Sequence, residues 1–181
     1  MTPFENLWIA LAIIFGIVGV VRGFLKELGV TLVMVVTLFG LTRLADNMTR
    51  ILDFIATTIR VPAIRDLANR EPVWLAFYTL AVLGAVFIAY QGTVIKYPGE
   101  DPRGIQGQLL ALMIGLINGY LVAGSLWFYM HKYEGTVRTL KFLQGEYTDF
   151  AVRMMPLLPP EILTRYLPFL VVFMIILLVI K

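Results

Sequence analysis

The sequence predicts an all-α, polytopic helical membrane protein. It is expected to form one membrane domain over residues 1–181, with four or five transmembrane helices and two interfacial amphipathic helices. Hydrophobic residues make up 59% of the chain and charged residues 15%, whereas a soluble domain has about 45–50% and about 25%. The apolar residues are also grouped into uncharged runs, and the length of these runs is close to the length of about 20 residues that a helix needs to cross a bilayer. A soluble fold could not cover so much apolar surface with so few charges.

Four spans follow from the positions where charge disappears. They are expected at about residues 5–22, 27–43, 73–95 and 105–130. The fourth is long enough to tilt within a hydrocarbon core of about 30 Å. The first residues include neither a basic segment nor a nearby cleavage site of small residues. We therefore expect the first apolar run to stay in the membrane and not to be removed as a signal peptide.

A fifth span is predicted over residues 160–181. Pro160 has a backbone angle suited to the first turn of a helix, and Glu161 suits the positive end of the helix dipole. From Phe169 to Ile180 no side chain is polar, and a helix that is apolar on every face belongs in lipid or in protein. This span would place the two termini on opposite sides of the membrane. Because it lacks small residues, we expect it at the rim of the bundle.

Two connecting segments, residues 46–70 and 136–156, are amphipathic. In the first, apolar residues share one helical face, namely Ile51, Leu52, Ile55 and Ile59. In the second, the apolar face consists of Tyr147, Phe150, Ala151 and Met154. Such helices lie along the membrane surface or pack across the ends of neighbouring spans.

The orientation in the membrane stays open at this stage. Ten basic residues belong to the side of the two long connectors and five to the other side. Arg22 and Lys26, however, lie in a very short turn, and short loops carry most weight in the positive-inside rule. The two indications oppose each other.

Small residues spaced four apart line three of the predicted spans. These residues are Ala12 and Gly16 in the first span, Ala81, Ala85 and Ala89 in the third, and Ala111, Gly115 and Gly119 in the fourth. Small side chains let helix backbones approach closely inside a membrane, so we interpret them as helix-packing faces, in one chain or between chains. Asn118, the most polar residue near the middle of a span, is interpreted as a hydrogen bond across such a face, in preference to a pore-lining or substrate-binding amide.

No feature of the sequence predicts an enzyme, a cofactor or a metal site. The chain has no cysteine, which excludes thiol nucleophiles and thiolate ligands. Its one histidine, His131, has no second His or Cys to complete a metal site and is assigned to an aromatic belt. No ionisable residue falls in the central part of a predicted span, which argues against a pump, a proton-driven transporter or a motor stator. The net charge of +3 indicates contact with membrane lipids, not with nucleic acid.

Two stretches together resemble a known family. They are VVRGFLKELGVTL, residues 20–32, and DPRGIQGQLLALMIGLINGYLV, residues 101–122. The pair is similar to the colicin V production protein (CvpA) family of bacterial inner-membrane proteins. The matching residues are Arg22, Gly23, Phe24, Lys26 and Glu27 in the first stretch, and Asp101, Arg103, Gly107, Gly115 and Gly119 in the second. The sequence departs from the family pattern at Pro102, which splits the Asp-Arg pair, at Asn118, where the family carries Arg, and in its predicted fifth span.

The resemblance implies four spans, no established catalytic residue, and a role in colicin V export and envelope physiology. It also implies that the Arg-Gly-Phe turn faces the cytoplasm. We therefore expect a non-enzymatic, multi-pass inner-membrane protein that assembles with itself or with other membrane subunits. Arg22, Gly23 and Lys26 are expected to form a turn that contacts lipid headgroups or an acidic partner. Two alternatives are a small accessory subunit of a larger bioenergetic complex, which would bind lipids or pigments, and a homo-oligomeric channel or transporter built around the fourth span.

Overall fold

The computed structural model describes residues 3–60, 66, 70–92, 97, 100–140, 147–163, 166, 169, 172, 175 and 176. All regular structure in these ranges is helical, as predicted. The α-helices are α1 (Pro3–Arg22), α2 (Phe24–Ile59), α3 (Glu71–Gln91), α4 (Gly104–Lys132), α5 (Glu134–Thr139) and α6 (Asp149–Met154), and a 3-10 turn covers Met155–Leu157.

Four helices are long and apolar enough to cross a membrane. The spanning stretches are Glu5–Arg22, Phe24–Ala45, Glu71–Gln91 and Gly104–Lys132, and they agree with the first four predicted spans. The predicted fifth span lies mostly outside the described residues. Its described positions beyond Leu163 are helical and exposed, namely Tyr166, Phe169, Val172, Ile175 and Ile176. The fifth crossing itself stays a prediction.

The second helix differs from the expected arrangement, in which a span ended near residue 43 and a surface helix followed. Instead, α2 continues without a break for 36 residues, about 54 Å. The sequence has neither Gly nor Pro between Leu41 and Arg60, so nothing interrupts the backbone hydrogen bonds of the helix. It ends at Arg60, which adopts a left-handed conformation (φ 58°) and donates its N–H to Ala56. The first amphipathic segment is therefore an extension of the second span as far as Ile59.

The second connector contains the short helices α5 and α6, and residues 141–146 lie outside the described part of the chain. Ala151 of α6 is completely buried in a cluster with Trp127 and Leu158. The Thr148 hydroxyl, which caps α6, donates a hydrogen bond to the buried carboxylate of Glu5 on α1. Helix α6 therefore packs across the end of the bundle, one of the two expected arrangements.

Helix α4 occupies the centre of the bundle and contacts α1, α2 and α3. In an 18-residue apolar stretch of each helix, 56% of the residues are buried in α4 and 17% in α1. The main core lies among α2, α3 and the second half of α4, with Met34, Leu38, Val82, Leu121 and Val122 at its centre. Helix α1 packs mainly on α4 and leaves most of its circumference uncovered.

The contact between α1 and α4 is one of backbone against backbone. A Cβ atom at Gly119 would lie 2.6 Å from the Cα of Ala12, and one at Gly115 would lie 3.1 Å from the Cα of Gly16. Gly19, which the sequence analysis did not include, continues this face, because a Cβ there would lie 2.9 Å from the Cα of Gly115. The small residues of the first and fourth spans thus face each other within one chain.

The small residues of α3 belong to the main core. Ala85 and Ala89 are buried and Ala81 is half-buried. On α4, Ala111 is buried with Gly115 and Gly119. These positions let α3 and α1 approach the central helices closely.

Candidate functional site: a buried polar cluster

The turn between α1 and α2 consists of a single residue, Gly23. Its φ of 94° lies in the region that favours glycine, because a Cβ would be crowded there. A side chain at this position would also meet Asp101, whose Oδ2 lies 2.6 Å from the position of such a Cβ. The Asp101 Oδ1 accepts a hydrogen bond from the N–H of Leu25 at 2.7 Å. The first turn of a helix has N–H groups without partners inside the helix. Asp101, in the loop before α4, supplies the acceptor for one of these N–H groups.

Glu27, in the first turn of α2, is completely buried. Its Oε2 accepts a hydrogen bond from Asn118 Nδ2 at 2.8 Å and another from the Tyr90 hydroxyl at 2.8 Å. Asn118 Nδ2 is also within 3.0 Å of the Glu27 backbone carbonyl. The Arg22 Nε lies 3.3 Å from Glu27 Oε1 and forms an ion pair with it. The carboxylate of Glu27 therefore connects all four spanning helices.

Two further contacts complete this arrangement. The Arg22 guanidinium lies 4.3 Å from the centroid of the Tyr90 ring, and its Nη1 donates to the Tyr90 carbonyl at 3.3 Å. Such a cation over an aromatic face is attracted by the ring quadrupole. The Thr31 hydroxyl donates to Asn118 Oδ1 at 2.7 Å. We refer to Arg22, Glu27, Thr31, Tyr90 and Asn118 as the Glu27 cluster.

The Glu27 cluster lies where α1 ends and α2 begins. Arg22 is the last residue of the spanning stretch Glu5–Arg22, and Glu27 is the fourth residue of Phe24–Ala45. Asn118 is 14 residues from each end of α4, about 21 Å along the helix in either direction. The carboxylate that contacts Asn118 is therefore a buried ionisable group in the first turn of a spanning helix.

The sequence predicted no ionisable residue in the central part of a span, and Glu27 lies in the first turn of α2, outside that part. Its complete burial, in which Arg22 and Glu27 neutralise each other, was not predicted. The uncharged runs on either side of the turn, 7–21 and 28–41, contain only 15 and 14 residues, about 21–23 Å of helix. Because about 30 Å of hydrocarbon has to be crossed, the spans include residues of the charged turn, and this was the signal in the sequence.

The remaining predicted site residues are distributed as follows. Arg22 and Asn118 are brought together in the Glu27 cluster, and Gly23 forms the adjoining turn. Lys26 is exposed, in a position compatible with headgroup contact. Asn118 bonds across helix interfaces to α2. Tyr90 carried no signal in the sequence, because it lies 63 residues from Glu27.

The opposite end of the bundle is rich in aromatic residues. Tyr78 and Tyr129 stack with ring centroids 4.4 Å apart. His131 Nδ1 lies 3.3 Å from the Tyr147 hydroxyl, and burial, followed by the charge of Glu134, raises the pKa of Tyr147 to about 12. Among the residues that the structure describes, no three His, Asp or Glu side chains are grouped to hold a metal ion.

Together, fold and site define a polytopic helical membrane protein with a buried ion pair between its spanning helices. No protein-family model, no curated protein and no solved structure matches the chain. The site is therefore interpreted from its own geometry.

Proposed function

We propose that this chain is a non-enzymatic inner-membrane protein of the CvpA type, which acts by assembling with itself or with other membrane proteins in export or envelope maintenance. The observation that carries this proposal is the extension of α2 beyond its spanning stretch. The span ends at Ala45 and the helix at Ile59, which leaves 14 residues, about 21 Å of helix, outside the apolar stretch.

Large apolar side chains are exposed on this extension. Phe54 is 71% exposed and Ile59 is 60% exposed. Within a bilayer, lipid covers such side chains, but beyond the hydrocarbon core they face water unless a protein covers them. Exposed apolar surface of this kind is typical of protein interaction sites. A protein partner, either a second copy of the chain or another membrane subunit, accounts for the extension better than lipid does.

The contacts between the two stretches that resemble CvpA support the family part of the proposal. Asp101 binds the turn at Leu25, and Asn118 binds Glu27. Gly115 lies against Gly19, next to the start of the first stretch. A shared structural role explains why such short segments would carry a family pattern.

The alternative of a channel assembled around the small-residue face of α4 loses its basis, because α1 occupies that face. The alternative of an accessory subunit in a larger complex shares the exposed surface of α2 with the leading proposal. The two differ in the identity of the partner, which can be measured directly.

The test uses a photo-crosslinking amino acid at position 54 in native membranes, followed by mass analysis of the purified protein in mild detergent. We expect a crosslinked product, with twice the monomer mass for self-assembly or a different mass for another subunit. Replacing Phe54 and Ile59 together by Ser should abolish the native assembly. The control replaces the exposed neighbours Thr57 and Thr58 by Ser, which should leave the assembly intact. A wild-type chain that remains monomeric and uncrosslinked contradicts the proposal.

A further inference from the structure

The Glu27 cluster carries an inference that goes beyond assembly. We propose that Glu27 is a proton-binding site buried between the spanning helices, and that proton uptake on its Oε1 accompanies withdrawal of the Arg22 guanidinium toward the lipid headgroups. Ionisable residues inside membrane spans are rare and mark functional sites by default.

The two carboxylate oxygens of Glu27 have different environments. Oε2 accepts both neutral hydrogen bonds, from Asn118 and from Tyr90. Oε1 is buried and accepts no hydrogen bond from the described residues; its contact is the ion pair with Arg22 at 3.3 Å. The Asn118 and Tyr90 bonds can persist when Arg22 leaves, and Oε1 is the oxygen left to accept the proton.

The Arg22 side chain can leave the ion pair, because it is partly exposed and lies at the end of a helix. Its side chain is 20% exposed, whereas that of Glu27 is 0% exposed. A long arginine side chain near the end of a helix can extend its charge to the membrane surface. Arg22 is the last residue of α1, and the neighbouring Val21 is 82% exposed. The guanidinium is therefore the movable member of the pair and the carboxylate the fixed one.

The charges around Glu27 require the two events to be coupled. The titratable or charged groups that contact Glu27 or the turn beside it are Arg22 from α1, Tyr90 from α3 and Asp101 from the loop before α4. Lys26 is exposed on its own helix, and α4 contributes the neutral Asn118. With Arg22 in place the pair is neutral. With Arg22 withdrawn, an ionised Glu27 would be a lone buried charge, which is far more costly than a protonated carboxyl. A hydronium ion of the solvent then transfers one proton to Oε1, so that one O–H bond breaks in the hydronium ion, one forms on the carboxyl group, and no other covalent bond changes.

The test is modification of the purified protein by dicyclohexylcarbodiimide, an apolar reagent that adds to protonated carboxyl groups buried in membranes. The protonated Glu27 would add across a C=N bond of the reagent and rearrange to a stable N-acylurea, which peptide mass spectrometry locates. We expect labelling of wild-type Glu27 to rise about tenfold per unit of decreasing pH, as long as the carboxylate form predominates. Arg22→Gln should be labelled with much less dependence on pH, because its Glu27 has lost the counter-charge.

Two outcomes overturn the proposal. If Arg22→Gln is labelled and the wild type is unlabelled at every pH, the ion pair is static. If neither is labelled, Glu27 does not bind a proton. Should Arg22→Gln fail to fold, infrared difference spectra of the wild type and Glu27→Gln decide the question. The wild type should then show a pH-dependent carboxylic acid C=O band that Glu27→Gln lacks, and absence of that band overturns the proposal.

Discussion

Asp101 caps helix α2 from 76 residues away, with its Oδ1 2.7 Å from the N–H of Leu25. The residue in the capping position of α2 is Gly23, which has no side chain to bond the first turn. Because Gly23 is required by the tight turn, the cap has to come from another part of the chain. The loop before α4 is thereby attached to the turn between α1 and α2.

Asp101→Ala should lower the stability of the folded protein by about 1 kcal/mol, the usual contribution of a helix N-cap. Asp101→Asn should retain most of the stability, because the amide oxygen still accepts the hydrogen bond. Thermal unfolding in detergent measures both. Glu100→Ala is the matched control, since Glu100 is 79% exposed and pairs with the exposed Arg103. Equal effects of the Asp101 and Glu100 substitutions would contradict the capping role.

Gly23→Ala should destabilise the turn for two reasons. Its φ of 94° is strained for alanine, and the new Cβ would lie 2.6 Å from Asp101 Oδ2. We expect a lower unfolding temperature in detergent. Gly84→Ala in α3, where a Cβ meets no atom within 4 Å, should be neutral or slightly stabilising. An equal decrease of the unfolding temperature in both variants would show that the turn does not require glycine at position 23.

Gly115→Ala tests the close contact between α1 and α4. The added Cβ would lie 2.5 Å from the backbone oxygen of Phe15. The shifts that accommodate such an added atom typically lower the stability of the folded protein by about 1–3 kcal/mol. Gly40→Ala in α2 adds the same methyl group in open space and should have little effect. The yield of monodisperse protein and its unfolding temperature are the measurements. If Gly115→Ala is tolerated as well as Gly40→Ala, the two backbones do not approach as described.

Asn118→Leu removes a donor to Glu27 at the centre of the bundle while keeping the number and branching of the side-chain heavy atoms. It leaves the carbonyl of Glu27 and the Thr31 hydroxyl without this partner, and we expect a loss of about 1–3 kcal/mol. Ser125→Ala is the control on the same helix, because the buried Ser125 hydroxyl donates to the carbonyl of Leu121, one turn earlier in its own helix. Thermal unfolding should separate the two variants clearly. A Ser125→Ala effect as large as that of Asn118→Leu would argue against a special role for the cluster.

Reporter fusions at Met1 and Lys181 test the predicted fifth span. The described positions of this segment are helical, and Phe169 is 75% exposed, as expected of a helix that faces lipid. An apolar helix from residue 160 to 181 would bring the number of crossings to five and place the termini on opposite sides. Reporters that indicate the same compartment would leave four crossings.

The first four spans were predictable because they depend on local properties. A run of uncharged residues long enough to cross a bilayer becomes a helix wherever it lies in the fold, since backbone polar groups in lipid must be satisfied within the segment. The small residues of α1 and α4 were predictable as packing faces for a similarly local reason. That these two faces meet each other in one chain was decided only by the tertiary structure.

Only part of the Glu27 cluster could be predicted from the sequence. The sequence by itself determined that Arg22 and Glu27 are close, since they lie five residues apart across a turn. Tertiary structure decided that Tyr90 and Asn118 join them, because contacts between residues 63 and 91 positions apart depend on the order and tilt of four helices. It also decided the burial of Glu27, because a carboxylate can be enclosed between helices only where they supply its counter-charge and hydrogen-bond donors.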